Sequence, residues 1–192
     1  MAITRKLAGS ALALLLLPTA GADADACRDC APRALLEVAS VQAKAEDVLR
    51  VPVRLHDAPG TPLGPERGPG AGISGLAFRL RFAPSAAVRE ARVLPAREAG
   101  RAAPVFEAAP RTGDGISYLV VLAPGDAAGA RPGAAETVAV LELTLEPRQA
   151  RGQRIELRLD PLLTTLSNAA GTLTETVASG HLRLQDGVIE VD

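Results

Sequence analysis

Residues 72–84 read Gly-Ile-Ser-Gly-Leu-Ala-Phe-Arg-Leu-Arg-Phe-Ala-Pro, and this stretch decides the fold class. Every second position holds a large apolar residue: Leu76, Phe78, Leu80 and Phe82. The positions between them hold a small or a charged residue: Ala77, Arg79 and Arg81. Because successive side chains of a β-strand point to opposite faces, this pattern predicts a strand with one face in a core and the other in solvent.

The same period of two recurs along the rest of the chain. Four more segments alternate in this way: residues 51–55, 141–145, 155–159 and 182–184. Residues 116–122 are apolar on both faces, which predicts a central strand. Clusters of Gly, Pro, Asp and Asn separate these segments, and no helical pattern of 10–15 residues intervenes. The sequence therefore predicts an all-β fold, a two-sheet β-sandwich of about eight or nine strands.

The N-terminal segment has the order of an export signal. Arg5 and Lys6 precede an apolar run at residues 7–17, and small residues follow at positions 18–22. The run is too short to span a bilayer as a helix of the mature protein. We predict that residues 1–22 are a signal peptide cleaved after Ala22, with Ala24 and Ala26 as alternative sites. The mature chain is then a secreted protein, periplasmic or extracellular, with no membrane span.

Residues 23–33 form a short leader that contains both cysteines of the chain, Cys27 and Cys30. Their spacing also occurs in redox motifs and in zinc half-sites, but no second cysteine pair is present. We expect a small local disulfide between them, as an oxidising compartment permits. Residues 34–192 are predicted to form one domain, because neither side of the Pro-rich loop at residues 57–71 has enough strands for a sandwich.

Composition excludes several classes of function. Lys and Arg number 21 against 22 Asp and Glu, and this balance argues against a nucleic-acid binder. There is no Trp, and the two His and two Cys leave little material for a metal or nucleophile site. Gly70, Gly72 and Gly75 match the dinucleotide-binding spacing, but no helix pattern follows them, so the match is a coincidence. We predict no catalytic residue, no metal site and no cofactor.

Several segments together resemble cohesin domains. Residues 72–84 are similar to the third cohesin strand, in which a Gly-hydrophobic start leads to a Tyr/Phe-Asp-Pro corner. Further similar segments follow in the order of the family: residues 48–55, Phe106, residues 116–122, 136–145 and 180–191. The last of these contains the Asp186-Gly187 turn before a closing strand. The resemblance covers residues 34–192.

This resemblance implies a nine-stranded jelly-roll sandwich, related to some carbohydrate-binding modules, that binds dockerin modules through one flat sheet face. The third strand lies on that face, so the resemblance nominates Gly75, Ala77, Arg79 and Arg81 as partner-binding residues. Cohesins often carry Asn and Asp on this strand, where Gly75 and Ala77 stand here, and Ala83 replaces the corner Asp. The alternation alone is equally compatible with Arg79 and Arg81 being solvated surface residues.

The expected function is that of a secreted, non-catalytic, cohesin-like binding module. Its partner would be a dockerin-type or other protein, in extracellular assembly or polysaccharide degradation. Two alternatives share the fold: a carbohydrate-binding module, and a structural or adhesive surface subunit. A polysaccharide is the less expected ligand, because sugar-binding faces use exposed rings and the chain has only one Tyr and three Phe. Tyr118 lies in an apolar run and is predicted to be buried.

Overall fold

The computed structural model describes residues 33–44, 48–64, 72–95, 104–122, 135–149 and 151–192. All of them fall within one compact unit, Ala31–Asp192. The predicted signal peptide at residues 1–22 and both cysteines of the leader, Cys27 and Cys30, lie outside the described residues. Their cleavage and pairing stay predictions.

The described residues are almost entirely β-structure, as the alternating pattern predicts. They form fourteen strands: β1 (Ala34–Val38), β2 (Val41–Ala43), β3 (Val48–His56), β4 (Gly75–Ala83), β5 (Val88–Pro95), β6 (Phe106–Ala108), β7 (Arg111–Thr112), β8 (Gly115–Val121), β9 (Ala135–Leu145), β10 (Arg154–Leu159), β11 (Thr165–Ser167), β12 (Thr174–Thr176), β13 (Leu182–Gln185) and β14 (Gly187–Val191). The helical content of these residues is a single 3-10 turn at Ser85–Ala87.

The strands form two sheets, so the predicted all-β sandwich is confirmed. Sheet A has the order β13-β1-β3-β9-β5. Sheet B has the order β12-β11-β4-β10-β14-β2, and β8 pairs with the other side of β4 and with the short strands β6 and β7. The strand at residues 72–84 of the sequence is thus the central strand of sheet B, flanked by β8 on one side and by β10 and β11 on the other.

The strand count exceeds the predicted eight or nine because five strands have only two or three residues, too few to show alternation: β2, β6, β7, β11 and β12. The two ends of the domain also cross between the sheets. β13 pairs with β1 in sheet A, whereas β14 pairs with β10 and β2 in sheet B. The crossing occurs at Asp186 and Gly187. The Asp186 carboxylate accepts a hydrogen bond from the Leu159 N–H group (2.8 Å), and a Cβ atom at Gly187 would lie 2.7 Å from the Ala39 carbonyl oxygen. Only glycine fits this close backbone approach.

The core lies between the two sheets and contains the apolar face predicted for β4. Its four large residues are buried: Leu76, Phe78, Leu80 and Phe82. The rings of Phe78 and Tyr118 pack with their centroids 5.4 Å apart, and Tyr118 is buried as predicted. Leu141, Leu143 and Leu157 are buried as well, while Leu184 is only partly buried against the core. The register of β4 therefore follows the predicted phase.

β8 is an internal strand of sheet B, as its apolar sequence predicts, but only one of its faces is in the core. Ile116, Tyr118 and Val120 are buried against sheet A. Leu119 is 41% exposed on the opposite face. The apolar residues on the second face of this strand therefore form surface rather than core.

Candidate functional site

The outer face of sheet B is the surface on the side of β10, β11, β4, β8 and β6 that points away from sheet A. The strand register brings the β4 residues that the resemblance nominates as partner-binding next to residues of β8. Arg79 pairs with Ser117 and Ala77 pairs with Leu119. On the other side of β4, Ala77 pairs with Thr165. Side chains from separate parts of the chain thus meet on one flat surface.

Three of the four residues nominated by the resemblance offer side chains to this face. Ala77 and Arg79 are half-buried and Arg81 is exposed. Gly75 is buried, and a Cβ atom at this position would lie 2.3 Å from the Ser167 Oγ atom. The Ser167 side chain therefore covers Gly75, so a partner at this point would meet the serine hydroxyl group before the glycine backbone.

One half of the outer face of sheet B is apolar. Leu119 is 41% exposed, and Phe106 on the neighbouring strand β6 is 50% exposed. The register sets Ala108 opposite Leu119 and Phe106 opposite Val121. Of the eight large apolar residues that are exposed in the described part of the chain, Phe106 and Leu119 lie on this face. Three more lie in segments that adjoin its strands: Val105 directly before β6, and Leu162 and Leu163 between β10 and β11. Such a concentration is typical of an interaction surface.

The other half of the face is a network of charged groups that pair with one another. Arg79 Nη2 donates to Asp114 Oδ1 (2.7 Å), and Arg81 Nη2 donates to Asp160 Oδ2 (2.6 Å). Arg81 Nε also lies 3.9 Å from Asp114 Oδ2. Asp114 is in the turn between β7 and β8, and Asp160 follows β10. The two arginines are therefore held in place by carboxylates of the domain itself.

These contacts set the charge state of both aspartates. The Arg79 guanidinium group lowers the pKa of Asp114, since its hydrogen bond favours the carboxylate. The pKa of Asp160 is lowered mainly by the hydrogen bond that its carboxylate accepts from the Leu162 N–H group, and further by Arg81. Both groups are thus ionised at neutral pH, and each stabilises the geometry of an adjacent arginine.

Tyr118 is not available for stacking on a ligand. Its ring is buried between the two sheets, and its hydroxyl group donates to Glu107 Oε1 (3.0 Å). Burial and the nearby Glu107 carboxylate raise the pKa of Tyr118, so the hydroxyl group stays protonated. Phe78 and Phe82 are buried too, which leaves Phe106 as the one exposed ring among the Phe and Tyr residues of the chain.

The outer face of sheet A provides a contrasting surface. Glu142 on β9 accepts hydrogen bonds from Arg50 Nε (3.3 Å) and Arg92 Nε (2.6 Å), and the Arg92 contact is the main cause of its lowered pKa. A shallow groove of about 410 Å³ beside Glu142 is lined by both acidic and basic side chains. Among the described residues of this face, Val48 is the large apolar residue that is exposed to solvent.

Two further findings concern metal ligands and membrane-spanning helices among the described residues. In the described ranges, no group of three or more His, Cys, Asp and Glu residues is arranged to hold a metal ion. None of the described segments forms a helix that is both long and apolar enough to cross a membrane. His56 Nε2 lies 3.1 Å from Glu37 Oε2 on sheet A, as a surface pair rather than part of a cluster.

Four residues on or beside the outer face of sheet B are not predicted by the sequence pattern. Asp114, Asp160, Leu162 and Leu163 belong to no motif that would mark them as functional. The local signal for Asp160 was its place before a proline at the end of an alternating strand, which indicates a turn but not its partner. The hydrogen bonds of Asp114 and Asp160 to the arginines span 35 and 79 residues of sequence, so no local pattern could predict them.

The fold is that of cohesin domains. The third cohesin of ScaC from Acetivibrio cellulolyticus, solved in complex with the ScaB dockerin, superposes with a TM-score of 0.58 at 20% identity, over 82% of this chain and 98% of that chain. The OlpC cohesin of a type I cohesin–dockerin complex from Clostridium thermocellum gives a TM-score of 0.57 at 14% identity, over 84% of this chain and 94% of that one.

A cohesin from outside the cellulosome has the same architecture. The non-cellulosomal cohesin from the archaeon Archaeoglobus fulgidus matches with a TM-score of 0.51 at 11% identity, over 83% of this chain and 91% of that chain. No protein-family model matches the sequence, and no curated protein matches it either. The chain therefore has a cohesin-domain fold, as the order of its segments predicts, at identities that establish the fold alone.

Proposed function

We propose that the protein is a secreted, non-catalytic binding module that recognises a protein partner through the outer face of sheet B. The observation that carries this proposal is the concentration of exposed apolar side chains on and beside that face. Interfaces between proteins combine an apolar centre with a polar rim. Leu119 and Phe106 supply the apolar part, and the paired Arg79 and Arg81 supply a polar border.

A dockerin-type protein is the partner that we propose, in extracellular assembly or in polysaccharide degradation. Two kinds of support favour this partner. Solved cohesins with the same fold are found in complex with dockerins. The resemblance of β4 to the third cohesin strand points to the same face that the exposed apolar residues mark. The predicted signal peptide supports a location outside the cytoplasm.

A binding titration with matched variants tests the proposal. The mature chain, residues 23–192, is titrated against dockerin-bearing proteins from the same source, and Leu119→Ser is compared with Val48→Ser. Both residues are exposed, but Val48 lies on the outer face of sheet A. We expect saturable binding that Leu119→Ser weakens about tenfold or more and that Val48→Ser leaves unchanged. No binding, or equal losses in both variants, would contradict the proposed face.

The exposed ring of Phe106 is the one observation that favours a carbohydrate-binding module. A parallel assay measures depletion of the mature chain by insoluble cellulose, xylan and chitin. We expect no saturable binding, since a single ring offers little stacking area. Saturable binding that is lost in Phe106→Ala, in the absence of any protein partner, would replace the proposed function with carbohydrate recognition.

Export is tested separately from binding. The exported protein is expected to begin at Asp23 or, for the alternative cleavage sites, at Asp25 or Cys27. N-terminal sequencing of the protein recovered from the periplasm or the medium measures this directly. An intact Met1 on the recovered protein would contradict the signal peptide.

A further inference from the structure

The loop between β10 and β11, residues 160–164, exposes two adjacent leucines. Leu162 is 86% exposed and Leu163 is 50% exposed. Leu162 is the most exposed large apolar side chain in the described part of the chain. An exposed leucine is ordinary when it stands alone, but a pair on a loop that borders a candidate binding face requires an explanation.

Asp160 fixes the backbone of this loop. Its carboxylate Oδ1 accepts a hydrogen bond from the Leu162 N–H group (3.0 Å), and its carbonyl oxygen accepts hydrogen bonds from the Leu163 N–H group (3.2 Å) and the Thr164 hydroxyl group (2.7 Å). Asp160 and Thr164 are both buried. The loop is therefore a turn closed by three hydrogen bonds, and the two leucines extend from an ordered backbone.

The strand pairing places the loop directly beside the outer face of sheet B. β10 pairs with Leu80 through Ala83 of β4, and β11 pairs with Gly75 through Ala77. The loop spans the gap between these pairings, where the Asp160 N–H group donates to the Arg79 carbonyl oxygen (2.9 Å). Asp160 also holds Arg81 through its second carboxylate oxygen, so one residue positions both the leucines and an arginine of the face.

The charges of the face indicate what kind of partner fits it. Arg79 and Arg81 already bind Asp114 and Asp160, so the charges of this network are balanced within the domain. A charged partner group would have to compete with these internal pairs. Arg158 and Glu156 of β10 lie on the same face, and they bind each other. Leu119, Phe106, Leu162 and Leu163 are exposed without any such ionic contact.

We propose, resting on the proposed function above, that Leu162 and Leu163 are the anchor of the interface and that they enter an apolar pocket on a protein partner whose contact surface carries little net charge. An ordered loop loses little conformational entropy when it is buried by a partner, which favours binding. Apolar side chains that fill a pocket at an interface often dominate its affinity. Affinity that depends on apolar burial, rather than on exposed ion pairs, changes little with salt.

The experiment measures the Kd of the mature chain for dockerin-bearing proteins of the same source at about 50 mM and about 500 mM NaCl, a range over which exposed ion pairs are strongly screened. Leu162→Ser is compared with Val48→Ser, the matched exposed control on sheet A, and thermal unfolding confirms that both variants stay folded. We expect Leu162→Ser to weaken binding about 10- to 100-fold, and the wild-type Kd to change less than about threefold between the two salt concentrations.

The outcomes separate this proposal from the one on which it rests. If binding is lost in Leu119→Ser but unchanged in Leu162→Ser, Leu162 and Leu163 are not the anchor of the interface. The outer face of sheet B then remains the proposed binding surface. If binding weakens strongly as the salt concentration rises, the claim that the partner's contact surface carries little net charge is wrong. A wild-type chain that binds none of these proteins would overturn the proposed function itself. If sedimentation shows a dimer that Leu162→Ser dissociates, the occupant of the loop is a second copy of the chain, and the proposal is wrong.

Discussion

At the scale of single residues, β4 shows how alternation divides a strand between core and surface. Phe78 is buried against Tyr118, while its neighbour Arg79 points to the outer face of sheet B and binds Asp114. The two residues are adjacent in sequence but differ in what they contribute. Phe78 contributes buried apolar area and packing, whereas Arg79 contributes one hydrogen bond to a partly exposed carboxylate.

Substitution of these two residues tests the register of β4. We expect Phe78→Ala to lower the free energy of unfolding by about 3–5 kcal/mol, because it leaves a cavity beside Tyr118. Arg79→Ala is expected to lower it by about 1 kcal/mol or less, because a partly exposed ion pair stabilises little. Urea denaturation of both variants measures the difference. A larger loss in Arg79→Ala would mean that the register is wrong by one residue.

At the scale of elements, buried carboxylates hold the connecting segments onto sheet B. Asp160 closes the loop between β10 and β11, as described above. Glu175 on β12 does the same for the segment that follows β3. Its side chain is buried, and its Oε1 atom accepts a hydrogen bond from the Leu63 N–H group (2.8 Å). The Glu175 Oε2 atom is buried with no hydrogen-bond partner among the described residues.

The lowered pKa of Asp160 gives the first prediction at this scale. Because the pKa is lower in the folded chain than in the unfolded one, the carboxylate stabilises the fold fully above about pH 5 and progressively less as the pH falls below about 4. Asp160→Asn removes this charge. The difference in free energy of unfolding between wild type and Asp160→Asn is therefore expected to be largest at neutral pH and to shrink in acid.

Denaturation at a series of pH values measures that difference. Glu142 binds Arg50 and Arg92 on the outer face of sheet A, so its own acid dependence cancels in the comparison. Asp114 shares Arg81 with Asp160, so the difference also contains the coupling between these two carboxylates. A difference that stays constant from neutral pH down to about pH 3 would show that the Asp160 charge does not stabilise the loop.

Glu175 gives the second prediction at this scale. Glu175→Ala leaves the Leu63 N–H group buried without an acceptor, which should lower the free energy of unfolding by about 1–3 kcal/mol, with a further loss from the cavity. Glu175→Gln keeps a side-chain oxygen that can accept this hydrogen bond and nearly the same volume, so we expect it to be less destabilising than Glu175→Ala. Equal losses in the two variants would contradict the role of this acceptor in holding the segment around Leu63.

At the scale of the whole molecule, the two ends of the domain close the sandwich together. β1 runs parallel to β13 in sheet A, and β2 runs parallel to β14 in sheet B. Each end therefore crosses from one sheet to the other, and the two crossings lie side by side at Ala39 and Gly187. Parallel pairing between the first and last strands of the domain joins residues that are far apart in sequence, so it adds contacts of high sequence separation to the fold.

Removal of the last strand tests this closure. A chain that ends at Gln185 lacks β14, which pairs with both β10 and β2 and carries the buried Ile189 and Val191. We expect denaturation of this truncated chain at about 25 °C to show no cooperative unfolding transition, because two strand edges and part of the core become exposed. Glu190→Gln, at an exposed position of the same strand, serves as a control that keeps cooperative unfolding. A sharp transition in the truncated chain would contradict the role of β14.

The sequence alone determined the all-β class, the phase of β4 and the burial of Phe78, Phe82 and Tyr118, because alternation and composition are local properties. Tertiary structure alone decided which side chains meet those of β4 on the outer face of sheet B. Arg79 and Arg81 appear in the sequence as free cations, yet the strand register supplies them with Asp114 and Asp160. It also decided that Leu162 and Leu163 border this face, because the position of a loop depends on the strands that it connects, and these pair with β4 across long distances in sequence.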